Sequence, residues 1–226
     1  MSGRTDLRTA LFLLVMSAAA SASASSINLV TNGDFSSGNS GFSSAYTFAP
    51  NDNDGIPPGN YSVETAGAPW HPMFVDTGDH TTGTGTMFVA NGKETPDVVW
   101  ETTVSGLEPD TTYFFEAFLM NLCCSTTSRP GPQLQFFADG MLLGLGSTET
   151  PGVWTGVSNV WNSLSSTSVT LQLRNASVVF DGNDFALDDV YLGKESQLDA
   201  VPAPEPASIL LLGTGFLAIA RKLRRG

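Results

Sequence analysis

His71 and His80 lie in the stretch PWHPMFVDTGDHT, beside Asp76 and Asp79. Imidazole next to carboxylate is the base half of a nucleophilic site, which also needs a Ser or Cys brought against that base. No Gly-x-Ser-x-Gly elbow supplies one, and no Gly-rich phosphate loop ends in Lys-Ser/Thr. Asn51-Asp52-Asn53-Asp54-Gly55 is rich in oxygen like a calcium loop. Setting Gly55 at its sixth position puts Pro50 at the first ligand and no Glu at the twelfth, so it reads as a solvated turn. Adjacent Cys123 and Cys124 admit three states: a strained eight-membered ring, two free or capped thiols, or disulfides to other molecules. Two Cys and two His leave too few ligands for a multi-ligand zinc or iron–sulfur centre. Paired carboxylates for glycoside hydrolysis cannot be singled out among the scattered acids. Among aromatics that could offer a flat face to a sugar ring, Trp70, in an irregular loop between Pro69 and His71, is the exposed candidate for ligand binding. None of these groups carries a catalytic assignment, and the chain is expected not to be an enzyme.

The elements that would position such groups are strands. In the 226-residue chain, residues 25–204 hold four cations (Lys93, Arg129, Arg174, Lys194) against 20 acids, a net of −16. That surface repels phosphate backbones, which excludes nucleic acid as a partner and suits neutral ligands or divalent cations. Tyr113, Phe115, Ala117 and Leu119 alternate with Phe114, Glu116, Phe118 and Met120, and Val169, Leu171 and Leu173 with Thr170, Gln172 and Arg174. QLQFFA (133–138) and MLLGLG (141–146) flank Asp139-Gly140, a hairpin signal. Further strands are expected at Ile27–Thr31, Phe42–Phe48, Tyr61–Thr65, Thr84–Ala90, Val98–Val104, Val153–Trp161 and Phe185–Leu192. Many short strands without a ten-residue helical pattern predict an all-β, antiparallel two-sheet sandwich. Residues 49–83 form a long Gly/Pro/Asp-rich excursion expected at an end or edge of it.

Both ends read as addresses. Arg4 and Arg8, the apolar run Ala10–Ala20 and the small residues Ala22-Ser23-Ala24 make residues 1–24 a secretory signal peptide. At the other end, Pro202, Pro204 and Pro206 hold the chain extended. Fourteen uncharged residues (207–220) follow as one transmembrane helix, and a basic end at 221–226 stays cytoplasmic. The expected organisation is therefore signal peptide 1–24, β-sandwich 25–195, Pro-rich linker 196–206, transmembrane helix 207–220 and basic tail 221–226. Pro204-Glu205-Pro206, the apolar run and the Arg-rich end together resemble the PEP-CTERM sorting signal of Gram-negative bacteria that make extracellular polysaccharide. The resemblance implies that an exosortase recognises the tail and cuts near Pro204-Glu205-Pro206, which is then a substrate sequence and not an active site.

NLVTNGDFSSGNSGF (28–42) and GNDFALDDVYL (182–192) resemble the opening and closing strands of jelly-roll carbohydrate-binding modules, related to galactose-binding-like domains. The resemblance runs over nearly all of 27–193 and implies a jelly roll. It also implies that the first and last strands lie side by side and share a structural calcium, with Asp188 as a ligand, a carbonyl from around Gly33 and a nearby acid, here Asp34. Ser36 stands where the family has Glu, and DHTTG (79–83) belongs to the same pattern, which implies that His80 with Asp79 pins a loop to the sheet. The alternative is that Asp188 caps local backbone amides at a solvated edge.

Together these readings describe an exported protein of the envelope or extracellular matrix, held for a time in the inner membrane with its domain in the periplasm. Its partners would be an exosortase and the exopolysaccharide or another glycan of a biofilm, in a structural, adhesive or glycan-binding role. The alternatives are a secreted jelly-roll hydrolase acting on polysaccharide and an uncleaved, tail-anchored periplasmic protein.

Overall fold

A computed structural model describes residues 27–124, 130–179 and 181–198, all within one unit of residues 26–200. The signal peptide, the sorting tripeptide, the apolar run and the basic end lie outside the described residues. Among those described, no helix is long and apolar enough to cross a membrane.

Ten strands and one short helix follow in order: β1 Thr47–Phe48, β2 Asn60–Glu64, α1 Gly67–Trp70, β3 Met87–Ala90, β4 Asp97–Ser105, β5 Thr112–Asn121, β6 Gln133–Ala138, β7 Met141–Ser147, β8 Trp154–Asn162, β9 Ser168–Asn175 and β10 Phe185–Gly193. They form a six-stranded sheet ordered β1-β2-β3-β10-β5-β8 and a four-stranded sheet ordered β4-β9-β6-β7. The all-β two-sheet sandwich expected from the alternation, and the jelly roll implied by the resemblance, are the fold. Its strands pair antiparallel except for β1 against β2, which is parallel.

Alternation explains why the sheets stack. Phe115, Ala117 and Leu119 of β5, with Phe88, Phe185 and Leu187, meet Trp100, Val104, Leu134, Phe136, Leu171 and Leu173 of the other sheet, all buried. Burying each such side chain contributes roughly 1.5–3 kcal/mol. The Asp139-Gly140 turn takes positive φ at both residues (48° and 77°) and joins β6 to β7 with Ala138 opposite Met141, as a two-residue hairpin demands.

Two expected strands are not regular. Residues 27–31 run beside β10, where Leu29 N–H donates to the Leu192 carbonyl at 2.8 Å. There the Asn28 side chain stands in for a peptide group: its Nδ2 donates to the Val190 carbonyl (2.9 Å) while its Oδ1 accepts from Leu192 N–H (3.1 Å). A side-chain amide that satisfies the neighbouring strand removes the need for a full ladder. The expected strand 42–48 is reduced to an isolated bridge between Ser43 and Glu101, followed by β1.

The excursion is not a free loop at the edge. It carries Trp70, Phe74 and Val75 onto the outer face of the six-stranded sheet, against Met87, Val89, Met120, Leu122 and Ala186. This second, smaller core roofs that face. The four-stranded sheet has no such roof among the described residues.

Candidate functional site

The outer face of the four-stranded sheet presents a connected polar row. Register sets it up: Glu101 of β4 pairs with Gln172 of β9, and Gln172 pairs with Phe137 of β6. Three residues distant in sequence thus line up across three strands on the face opposite Leu171 and Leu173. Gln172 Nε2 donates to Glu101 Oε2. Arg174, two positions along β9, donates from Nε (3.1 Å) and Nη2 (2.6 Å) to Gln172 Oε1. Its guanidinium lies over the Phe137 ring, 4.6 Å from the centroid, a cation–π contact that fixes the fork. Thr103 and Thr170 hydroxyls meet at 3.1 Å in the adjoining row. Beyond Glu101 the face continues into an open depression of about 400 Å³ lined by Gly41, Phe42, Ser43, Glu101, Thr102 and Thr103. On the β7 side, Leu142 and Leu145 are half-exposed.

Strands lie about 4.8 Å apart, so the row from Phe137 to Glu101 crosses roughly 10 Å before the depression begins. Among the described residues Arg174 Nη1 and Glu101 Oε1 make no hydrogen bond within the row, while Arg174 Nε and Nη2 and Glu101 Oε2 are held by Gln172. Donors and acceptors locked in this way lose little freedom when a ligand arrives. The row offers hydroxyl-compatible donors and acceptors beside an apolar strip.

The expected calcium residues are used otherwise. A bulge in β10 sets Asp189 and Val190 opposite Ala117 alone, between the pairs Asp188–Phe118 and Tyr191–Glu116. Asp189 takes φ +47°, and both carboxylates meet the loop at residues 79–82. Asp188 is fully buried. Its Oδ2 accepts from His80 N–H (2.8 Å), Thr81 N–H (3.1 Å) and the Thr81 hydroxyl (3.2 Å), and its Oδ1 from Asp189 N–H (2.9 Å). The Gly33 carbonyl accepts from Val190 N–H at 2.9 Å. Asp34 is exposed and binds the Ser36 amide and hydroxyl. These oxygens face proton donors, whereas calcium needs six to eight free oxygen ligands. As arranged, Gly33, Asp34 and Asp188 do not fit that ion. Asp188 caps amides instead, in a buried setting and not at a solvated edge. Burial pushes its pKa up to about 6, the Asp189 charge adds to the rise, and the amide hydrogen bonds oppose it.

His80 pins the loop through a different partner from the one expected. Its Nδ1 lies 2.6 Å from Asp189 Oδ2, and its ring stacks on Phe118 with centroids 3.4 Å apart. Asp79 instead ties its own loop together through Thr82 N–H and Gly85 N–H. An Asp–His pair can polarise a nucleophile, but the neighbouring Thr81 hydroxyl bonds the carboxylates.

Trp70 is not an exposed platform. Only 1% of it is accessible, and its Nε1 donates to the Ala49 carbonyl at 2.7 Å, so it anchors the roof. Cys123 and Cys124 are buried and bonded to each other, the first of the three states considered. Sequence reasoning missed the row at Glu101, Gln172, Arg174 and Phe137. Its signal was the polar half of the β9 alternation, which shows an open face but not which strands flank it.

Residues 202–225 match the PEP-CTERM protein-sorting motif. That stretch contains Pro204, Glu205 and Pro206 and marks an exported protein sorted through an exosortase to the cell envelope. No curated protein matches the chain. Among solved structures, the sugar-binding C-terminal domain of EclA is similar at 16% identity and TM-score 0.37, over 42% of this chain and 66% of that one. A family 16 carbohydrate-binding module is similar at 17% identity and TM-score 0.44, over 73% and 99%. An apo cyclase from Fischerella sp. is similar at 14% identity and TM-score 0.47, over 74% and 96%.

Proposed function

We propose that this protein is a non-catalytic glycan-binding module that is exported, sorted through its tail and placed in the cell envelope or extracellular matrix. The carrying observation is the open face of the four-stranded sheet, where Glu101, Gln172 and Arg174 form one hydrogen-bonded row beside Phe137. A pyranose has an apolar face and a rim of hydroxyls, which suits an apolar strip next to a polar row. The net of −16 over residues 25–204 favours an uncharged polysaccharide. Sorting completes the reading. Residues 1–24 direct export, residues 207–220 hold the intermediate in the inner membrane of a Gram-negative cell, and an exosortase removes the tail near Pro204-Glu205-Pro206. The released domain then serves exopolysaccharide or biofilm architecture.

Arg174→Ala and Gln172→Ala, tested beside the parent protein on immobilised neutral polysaccharides, should each weaken binding at least tenfold and leave the melting temperature within about 2 °C. Binding that survives both changes would overturn the site. The Asp189–His80 pair is the observation that favours a hydrolase. Reducing-sugar release that disappears in His80→Ala would establish that second reading. For sorting, the intact mass of the protein from its host should lack residues 207–226. A mass retaining Arg221–Gly226 in the membrane fraction would mean an uncleaved anchor.

A further inference from the structure

The chain does not leave the sandwich where its last strand ends. After Gly193 it turns back over the outer face of the six-stranded sheet, and Tyr191 Oη donates to the Glu195 carbonyl at 2.7 Å. Glu116 lies beneath this segment, only 2% exposed. Its Oε1 accepts from the Ser158 hydroxyl (2.6 Å) and the Ser196 hydroxyl (2.5 Å), and its Oε2 accepts from Gln197 N–H (2.7 Å). Ser196 Oγ in turn accepts from Leu198 N–H (3.1 Å). The Leu198 side chain lies over Gly156, where a Cβ would come within 2.6 Å of Leu198 Cδ2. A carboxylate buried on a sheet face is costly unless donors surround it. Two of the three donors here come from residues 196 and 197, so the charge of Glu116 ties the segment to the sheet.

We propose that residues 195–198 form a strap clasped by Glu116, and that this clasp limits how readily the sorting motif is reached. Pro204 is six residues beyond Leu198. At about 3.6 Å per residue, it can lie no more than roughly 20 Å from the docked Leu198. The docked strap thus shortens the tether between Pro204-Glu205-Pro206 and the domain. Releasing the strap adds four residues, about 14 Å of reach. The clasp itself stands on the contacts above, while its effect on processing rests on the sorting reading.

Two measurements on the full chain, kept in host membranes or mild detergent, test the two parts separately. In hydrogen exchange, the Gln197 amide should exchange at least tenfold faster in Glu116→Ala than in the parent, with the β9 amides unchanged. Ser196→Ala is the milder variant, should Glu116→Ala disturb the core, and should give a smaller change in the same direction. Equal Gln197 exchange in the parent and in a variant with intact β9 protection would overturn the clasp. In pulse-labelled host cells, Glu116→Ala and a four-residue Gly/Ser insertion after Leu198 should each speed tail removal at least threefold. Unchanged rates in both would overturn the limit on processing. A parent chain that is never cut would overturn the sorting reading and this limit with it, leaving the exchange result to decide the clasp.

Discussion

The two sheets treat their outer faces in opposite ways. The six-stranded sheet is covered by the excursion through Trp70 and Phe74 and by the strap at residues 195–198, and it buries Glu116, Met120 and Asp188 beneath them. The four-stranded sheet leaves Thr170, Gln172 and Arg174 partly exposed. The strands themselves record the difference. A strand solvated on one face alternates cleanly between apolar and polar residues, as β9 does, while a strand covered on both faces carries apolar residues at both parities, as β5 does with Phe114, Phe118 and Met120 on one and Phe115, Ala117 and Leu119 on the other. Covered polar groups on the first face are structural. Those on the second keep part of their surface in solvent.

The contrast is broken most severely by removing the roof's anchor. Trp70→Ala should cost about 3–5 kcal/mol in urea unfolding, against under about 0.5 kcal/mol for Arg174→Ala. Similar losses for the two would mean that the roof is not a second core. Next in size is Asp188→Ala, which strands the amides of His80 and Thr81 and should cost about 1–3 kcal/mol. Asp188→Asn, which keeps an acceptor, should recover part of that.

A smaller effect is set by pH. Burial pushes Asp184 up to about 7, with its hydrogen bond from Gly92 N–H opposing the rise. A carboxyl whose folded pKa lies above its unfolded value takes up a proton on folding. Its penalty is therefore complete above about pH 7 and relieved as the pH falls toward about 4. Asp97, beside Lys93, has the opposite shift, and so does Asp79, where burial is outweighed by hydrogen bonds from Thr82, Gly85 and Thr84. Their stabilisation is lost only below about pH 4. The melting temperature should accordingly rise by a few degrees from pH 8 to pH 5. Asp184→Asn should raise it at pH 8 and flatten the slope, and a parent slope of opposite sign would contradict the assignment. The smallest expected effect is that of EGTA, which should leave the melting temperature unchanged. A drop of several degrees would restore a calcium ion at Gly33, Asp34 and Asp188.

Much of the scaffold was legible because period-two patterning and turn chemistry are local. The β6–β7 hairpin at Asp139-Gly140, the β5 and β9 alternations and the closing strand through Leu187 could all be read from a few neighbouring residues. The site was less so. Bringing Glu101, Gln172 and Phe137 into one row needs the register of strands some 35 and 70 residues apart in sequence, which no local pattern carries. Trp70 was misjudged for a related reason. Gly- and Pro-rich flanks announce an irregular backbone, but irregular backbone can still cover a sheet when its side chains are apolar. The bulge at Asp189 changes which face consecutive residues occupy, and nothing in Asp-Asp-Val announces that shift.

The order of assembly follows from the place of β10. The last strand in sequence lies in the middle of the larger sheet, between β3 and β5, and beside it run the first described residues of the domain. A chain that emerges N-terminus first therefore holds β3 and β5 as two unpaired edges until its final stretch appears. Contacts joining the ends of a chain form slowly, because the longest loop must close before they do. A chain stalled before residue 185 thus lacks the strand that joins both halves of this sheet. Completion of the fold and arrival of the tail are consequently almost the same event in the lifetime of each molecule.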